Sequence, residues 1–158
     1  MSGERGKLLA VAVILVALTL AAYAQVGGHG FLSYDDNVYV TENPLVQGGL
    51  TGDAVVRALG SDHAGNWHPL TWWSHMLDVE IAGMDPAVHH GTNLILHAIS
   101  TVLLLLLFHR ITGALWRSAF VAGVFALHPT HVQSVAWVSE RKDVLSTLLW
   151  AATLLAYV

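Results

Sequence analysis

Four apolar stretches alternate with polar ones along this 158-residue chain. They cover residues 8–26, 92–109, part of 117–138, and 143–158, and the long stretch 27–90 between the first two is polar. A membrane-spanning helix needs roughly 20 mostly apolar residues. The pattern therefore predicts an all-α polytopic membrane protein with about four transmembrane helices and a long outer loop that carries short interfacial helices.

Two of these stretches are open to a second interpretation. Pro129 disfavours helix at His128 and removes a backbone donor, which shortens the third stretch. The first stretch begins with basic residues and ends in Ala22-Tyr23-Ala24, a pattern that also fits a cleavable secretory signal. Either interpretation of the first stretch places the loop that follows it outside.

Basic residues predict the orientation of the helices. Arg5 and Lys7 precede the first apolar stretch, and Arg110 and Arg117 flank the turn between the second and third. Because cytoplasmic loops carry an excess of Lys and Arg, the N-terminus and that turn are both expected in the cytoplasm. The chain is then a multi-pass protein of the inner or plasma membrane, with the lipid bilayer as its solvent.

Composition excludes several classes of function. Hydrophobic residues make up 54% of the chain and charged residues 11%, which is typical of a membrane protein. Cysteine is absent, so the chain forms no disulfide, thiolate metal site or cysteine nucleophile. A net charge of -4 without a basic stripe indicates no nucleic-acid partner.

Four consecutive charged residues lie in one short segment between the third and fourth apolar stretches. Glu140, Arg141, Lys142 and Asp143 are consecutive. Charge near a bilayer core is costly, so such clusters usually serve ions or anionic substrates. The alternative is a loop end that anchors to lipid headgroups.

Two carboxylates, Asp35 and Asp36, follow shortly after the first apolar stretch. Adjacent acids raise one another's pKa or share a cation, which suits a general base or a divalent-metal ligand. The alternative is a turn, because Asp and Asn favour turns through local hydrogen bonds.

Polar side chains also recur along the apolar stretches. His90, Asn93 and His97 share a helix face, and His128 and His131 are three residues apart. Such residues can line a wet pocket, hold a metal ion, or ligate a haem from two helices. Hydrogen bonding between helices is the alternative. In the loop, Trp67, Trp72 and Trp73 suit a helix lying at headgroup level. His68 and His75 would be its polar tips, and metal ligation by the pair is the alternative.

Several of these segments resemble one known family, in the same order along the chain. They are Tyr34-Asp35-Asp36, Asn43-Pro44, Trp67-His68-Pro69-Leu70-Thr71-Trp72, His90 to His97, and His128 to Leu145. The family comprises membrane proteins that carry C-terminal tetratricopeptide repeats. It belongs with the polytopic, GT-C-type glycosyltransferases that use lipid-phosphate sugar donors, including O-mannosyltransferases. The resemblance implies that residues 1–158 form the N-terminal part of a larger membrane bundle and contain no tetratricopeptide repeat.

The resemblance also implies roles for single residues. Asp36 or Asp35 would be the catalytic base, while Arg141 and Lys142, with Glu140 and Asp143 nearby, would bind the donor phosphate. The donor would be a polyprenyl-phosphate sugar and the acceptor a hydroxyl of a protein or glycan at the outer face. A divalent metal ion is the candidate cofactor, but Gln133 stands where the family typically has Glu, and if that Glu coordinates a cation in relatives, the metal role is in doubt here. A non-catalytic membrane anchor or scaffold and a His-ligated metal or haem bundle are the alternative functions.

Overall fold

The structure, a computed structural model, describes residues 2–158, and all regular secondary structure in this part is helical. This confirms the predicted all-α class. The α-helices are α1 (Ser2–Ala22), α2 (Gly52–Leu59), α3 (Pro69–Ala82), α4 (Pro86–Thr112), α5 (Leu115–Leu127), α6 (His131–Ala136) and α7 (Arg141–Tyr157). Short 3-10 turns (Ala24–Gly28, His63–Gly65, Val138–Glu140) and a π-helical turn (Asn37–Thr41) connect them.

Two helices are long and apolar enough to cross a membrane. They are Gly3–Ala22 and Pro86–Thr112, each with a mean hydropathy of 2.0. At 1.5 Å per residue, the 13 residues of α5 and the 17 residues of α7 fall short of a ~30 Å hydrocarbon core. Two candidate spans are therefore established in residues 2–158, where the sequence predicts about four.

Local signals set the ends of the membrane-type helices. Asp85 caps α4 by accepting a hydrogen bond from the Ala87 amide at 2.9 Å, and Pro86 occupies the first turn. Gly113 ends α4 in the left-handed conformation, at φ 66°. Helix α5 ends at Leu127, because His128 is held extended before Pro129. The third predicted stretch, 117–138, is thus two helices joined by a bend.

Helix α4 is the centre of the bundle and packs against α1, α5 and α7. Leu105 of α4 meets Val11 and Leu15 of α1 and Ala122 of α5 in one apolar cluster. On another side of α4, Leu104 and Leu107 pack with Ala151 of α7. This packing places the first turns of α4 and α7 side by side.

Residues 27–90 build a small core of their own rather than lying flat on a surface. Tyr39, Trp72 and Met76 are buried in it together with Val138 from the segment before α7. Trp67 is 69% exposed, whereas Trp72 and His75 are fully buried. The interpretation of α3 as an interfacial helix with Trp72 towards the headgroups and His75 as a polar tip is therefore wrong, because both side chains face the protein.

Candidate functional site

Asp36 joins the loop after α1 to the segment before α7. Its Oδ1 accepts hydrogen bonds from the Ser139 amide at 3.0 Å and the Ser139 hydroxyl at 2.5 Å, and its Oδ2 accepts one from the Leu32 amide at 2.8 Å. Asp36 is fully buried, whereas the neighbouring Asp35 is half-buried. The structure thus brings together two of the segments that carry predicted site residues, and it ties Asp36 to protein partners.

Arg141 is the centre of a buried network between α3, α4 and α7. Its Nη2 donates to Asp78 Oδ2 at 2.6 Å and to the His89 carbonyl at 2.8 Å. Its Nε donates to Asn93 Oδ1, and its Nη1 donates to Ser74 Oγ at 3.3 Å. The guanidinium has five N–H groups, so little of its donor capacity remains for a phosphate. Arg141 is also fully buried.

The same network contains a constellation with metal-ligand spacing. His75 Nδ1 lies 3.3 Å from His89 Nδ1, which lies 3.3 Å from Asp78 Oδ2. Tetrahedral zinc sites have similar separations between ligand atoms. However, the Arg141 guanidinium already contacts Asp78 Oδ2, and one carboxylate would then face a guanidinium and a divalent ion in a buried site. The donor set therefore does not fit a divalent metal while Arg141 remains in place.

His75 is neutral in this setting. Burial, followed by the charge of Arg141, lowers its pKa well below 6.5. Arg141 and Asp78 thus form a buried ion pair beside neutral imidazoles. The pair supplies the guanidinium with hydrogen-bond acceptors and holds α3 against the bundle.

Lys142 differs from Arg141 because its side chain remains 36% exposed. Its Nζ donates to Glu140 Oε1 at 3.0 Å and to the Ser139 carbonyl at 3.2 Å. The ammonium also lies 5.3 Å from the centroid of the Tyr39 ring. An ammonium has three N–H donors, so one is available to a ligand.

A cleft of about 390 Å³ lies between the start of α3 and the first turns of α7. Its apolar wall comes from Trp67, Leu70, Leu145 and Leu149, and Lys142 lines it as well. Burial, with a smaller contribution from the Lys142 charge, lowers the pKa of the lining residue His68. The imidazole is thus expected to be neutral near pH 7, and the cleft combines an apolar wall with the ammonium of Lys142, which is paired with Glu140, and the carboxylate of Asp143.

The predicted polar stripe does not converge on one pocket. Asn93 binds Arg141 and donates to the Trp137 carbonyl at 2.9 Å, and His90 Nε2 faces the Gly30 carbonyl at 3.4 Å. His97 Nε2 donates to the Ala126 carbonyl at 3.1 Å, and its ring lies 5.6 Å from that of His131. His128 is exposed and pairs with Thr130. With His97 committed to a carbonyl, the geometry does not favour a haem ligated by His97 and His131.

The outer two charges of the cluster have separate positions. Glu140 pairs with Lys142, and Asp143 is exposed and accepts a hydrogen bond from Ser134 at 3.1 Å. The sequence interpretation missed Asp78, the acid that pairs with Arg141. One signal was present, because Asp78 lies three and four residues after His75 and Ser74, on the same face of α3.

Comparisons with known proteins return protein O-mannosyl-transferases. Protein O-mannosyl-transferase Tmtc2 of Drosophila melanogaster is 28% identical over 152 residues, which cover 89% of this chain and 16% of the relative. The human TMTC1 protein is 29% identical over 137 residues, 81% of this chain and 16% of that protein. The mouse TMTC2 protein is 36% identical over 103 residues, 61% of this chain and 12% of that protein.

No family model and no solved structure matches the chain. The chain spans 10% to 22% of the length of the curated relatives it matches. These matches confirm the predicted resemblance: the curated homologues of this chain are the TMTC-type protein O-mannosyl-transferases.

Proposed function

We propose that this chain belongs to a membrane glycosyltransferase that moves a sugar from a polyprenyl-phosphate donor to a hydroxyl of a protein or glycan acceptor. One observation carries the proposal: Lys142 lines a cleft that has an apolar wall, and it is joined through Ser139 to the carboxylate of Asp36. The names of the relatives support the class of reaction, since they are protein O-mannosyl-transferases.

In the proposed reaction, a base takes the proton of the acceptor hydroxyl, and the oxygen attacks the anomeric carbon of the sugar. The bond between that carbon and the phosphate oxygen breaks, and the negative charge leaves on the polyprenyl phosphate. A cation beside that oxygen stabilises the charge as it develops. Lys142 has this role, while the apolar wall of the cleft holds the lipid tail.

Arg141 acts through its neighbours rather than on the phosphate. Its bond to Asp78 ties α3 to α7, the two walls of the cleft, and its bond to Asn93 ties α7 to α4. Glu140 competes with the phosphate for Lys142, so donor binding must displace or share this ion pair. Arg141 is thus a positioning residue, and Asp143 stands at the edge of the cleft.

The base comes from the pair Asp35 and Asp36. A base must come within hydrogen-bond distance of the hydroxyl it deprotonates. Asp35 is half-buried and therefore partly accessible to a ligand, whereas Asp36 must first release Ser139 or Leu32. Asp36 then also has a structural role, because it holds the loop against the segment that carries Lys142.

The proposed location is the inner or plasma membrane, with the N-terminus in the cytoplasm and the reaction at the outer face. The contact between Asp36 and Ser139 supports a common face, since both segments must lie on the same side. Because the chain has no cysteine, Asp62→Cys and Thr130→Cys give single exposed thiols in these two segments. Both should react with an impermeant maleimide in intact cells, and labelling of only one would contradict the common face.

The donor class is tested with full-length protein reconstituted in liposomes. We expect transfer to a protein acceptor from polyprenyl-phosphate mannose and none from the nucleotide sugar. Transfer from the nucleotide sugar alone would contradict the donor assignment. Absence of transfer from either donor, with the protein folded, would favour the scaffold alternative.

A further inference from the structure

A second cavity, of about 210 Å³, lies beside the cleft among α4, α5, α6 and α7. Seven of the nine residues that line it are polar. His97, His131, Ser134, Asp143, Ser146 and Thr147 supply imidazole, carboxylate and hydroxyl groups. Ser134 donates to the Asp143 carboxylate and Ser146 to the Asp143 carbonyl, but hydroxyl and carboxylate oxygens keep further lone pairs, so the cavity can accept a polar ligand.

The lining chemistry selects a neutral ligand that both donates and accepts hydrogen bonds. Neither Lys nor Arg lines the cavity, so it offers no charge to an anion. Burial, followed by the charge of His128, lowers the pKa of His131, which leaves a neutral imidazole. Because His97 Nε2 donates to the Ala126 carbonyl, its Nδ1 carries a lone pair and can accept.

A metal ion does not match the same lining. In residues 2–158, the group of three His or acidic residues close enough to share an ion is His75, Asp78 and His89, in the Arg141 network. The ring of Phe125 instead lies 4.6 Å from that of His131 and 4.8 Å from that of His97. Flat faces surrounded by hydroxyl and carboxylate groups suit a polyhydroxylated ring. The volume is many times what one water needs, so the cavity has room for a ligand of ring size.

The position of the cavity links it to the cleft. Asp143 and Ser146 line both. They are three residues apart on α7 and share a face, with Thr147 turned to the cavity and Lys142 and Leu149 to the cleft. Neighbouring faces of α7 therefore contribute to the apolar wall of the cleft, to its ammonium group and to the polar cavity.

We infer that the cavity formed by His97, His131, Asp143 and Thr147 is the binding site for the hexose ring of the lipid-phosphate donor. The inference rests on the proposed function, and it assigns the tail to the cleft, the phosphate to Lys142 and the sugar to the cavity. The bond between phosphate and sugar would lie beside Asp143 and Ser146, because these two residues line both the cleft and the cavity.

The test uses free methyl hexopyranosides as probes, because binding of a free sugar requires neither lipid nor transfer. Full-length protein in nanodiscs is titrated and observed by saturation-transfer NMR. We expect binding at about 1–10 mM for one hexoside stereochemistry. Thr147→Val and His131→Phe should each weaken it by roughly three- to tenfold, the range of one neutral hydrogen bond.

Thr153→Val is the matched control. It makes the same substitution on the same helix, at an exposed threonine whose hydroxyl donates to the Leu149 carbonyl and which does not line the cavity. Hexoside affinity should equal that of the wild type in this variant. Equal affinity in all three variants, or no binding by the wild-type protein, would overturn the assignment of the cavity.

The outcome separates this inference from the proposed function. The wild-type protein could bind the hexoside through Thr147 and His131 and yet transfer no sugar. This result would support the cavity as a hexose site and contradict the proposed transferase activity. Alternatively, Thr147→Val and His131→Phe could transfer sugar with a normal apparent KM for the donor. This result would support the transferase activity and contradict the assignment of the cavity to the hexose. Detergent-unfolding curves for the variants identify any loss of binding that comes from misfolding.

Discussion

Arg141 and Lys142 are neighbours in the sequence, yet they occupy opposite kinds of environment. Arg141 is fully buried and bonded to α3 and α4, whereas the side chain of Lys142 is 36% exposed beside an open cleft. Successive residues at the start of a helix point in different directions, so only one of the two can face the core. The difference shows that two adjacent cations at a helix start can have separate roles. Arg141 stabilises the fold, whereas Lys142 remains accessible to a ligand.

The buried network should give the largest effect on stability. Arg141→Ala leaves the Asp78 carboxylate buried and unpaired, which costs about 3–5 kcal/mol. Arg57→Ala is the control, because Arg57 pairs with Asp53 in an exposed i,i+4 bridge worth at most about 0.5 kcal/mol. Unfolding in mixed detergent micelles measures both, and similar losses in the two variants would contradict a structural role specific to Arg141.

The two carboxylates of the first loop should also differ from each other. Asp36→Asn turns an amide NH2 towards one of the donors that Asp36 now binds, so we expect a loss of about 1–3 kcal/mol. Asp35→Asn should change stability by less than about 0.5 kcal/mol and should abolish sugar transfer if Asp35 is the base. Unfolding curves and turnover are measured on the same preparations. Near-normal turnover in both variants would exclude the pair from catalysis.

The neutral His75 predicts the direction of a pH effect. Its pKa is lowered in the folded protein, so below about pH 6.5 the unfolded chain binds a proton that the folded chain does not. Stability is therefore full above about pH 6.5 and falls as the pH decreases, by up to about 1.4 kcal/mol per pH unit. His75→Gln should flatten this slope in unfolding curves, and an unchanged slope would show that His75 is not its source.

The sequence predicts the helices better than it predicts their partners. Pro86, Gly113 and Pro129 mark helix ends through local backbone restrictions, and these signals are readable from neighbouring residues. The partner of Arg141 is not readable in this way, because Asp78 lies 63 positions away and only packing of α3 on α7 brings them together. The burial of Trp72 and His75 has the same origin, since the loop forms its own core.

For the candidate site, the sequence predicts which segments share a membrane face but not the partner of each side chain. Counting crossings from a cytoplasmic N-terminus predicts that the Asp35–Asp36 pair and the Arg141–Lys142 pair lie at one membrane face, and the structure brings Asp36 to Ser139. The sequence gives no sign of which cation is buried, since that depends on how α7 is rotated against α4. The rotation of α4 likewise decides the partners of its polar residues, because Asn93 faces Arg141 while His97 faces α5.

The central claim is that Lys142, and not Arg141, contacts the donor phosphate. It is tested most directly by the apparent KM for a polyprenyl-phosphate sugar in Lys142→Ala, Lys142→Arg and wild type, at matched levels of folded protein. Losing a charge-assisted hydrogen bond, about 1.5–3 kcal/mol, predicts a KM at least roughly tenfold higher for Lys142→Ala and an intermediate value for Lys142→Arg. Lys142→Ala also removes the contacts with Glu140 and the Ser139 carbonyl, which is why KM is compared at matched levels of folded protein. A wild-type KM in Lys142→Ala, with only the yield of membrane protein reduced, would contradict the claim and leave a lipid anchor as the role of Lys142.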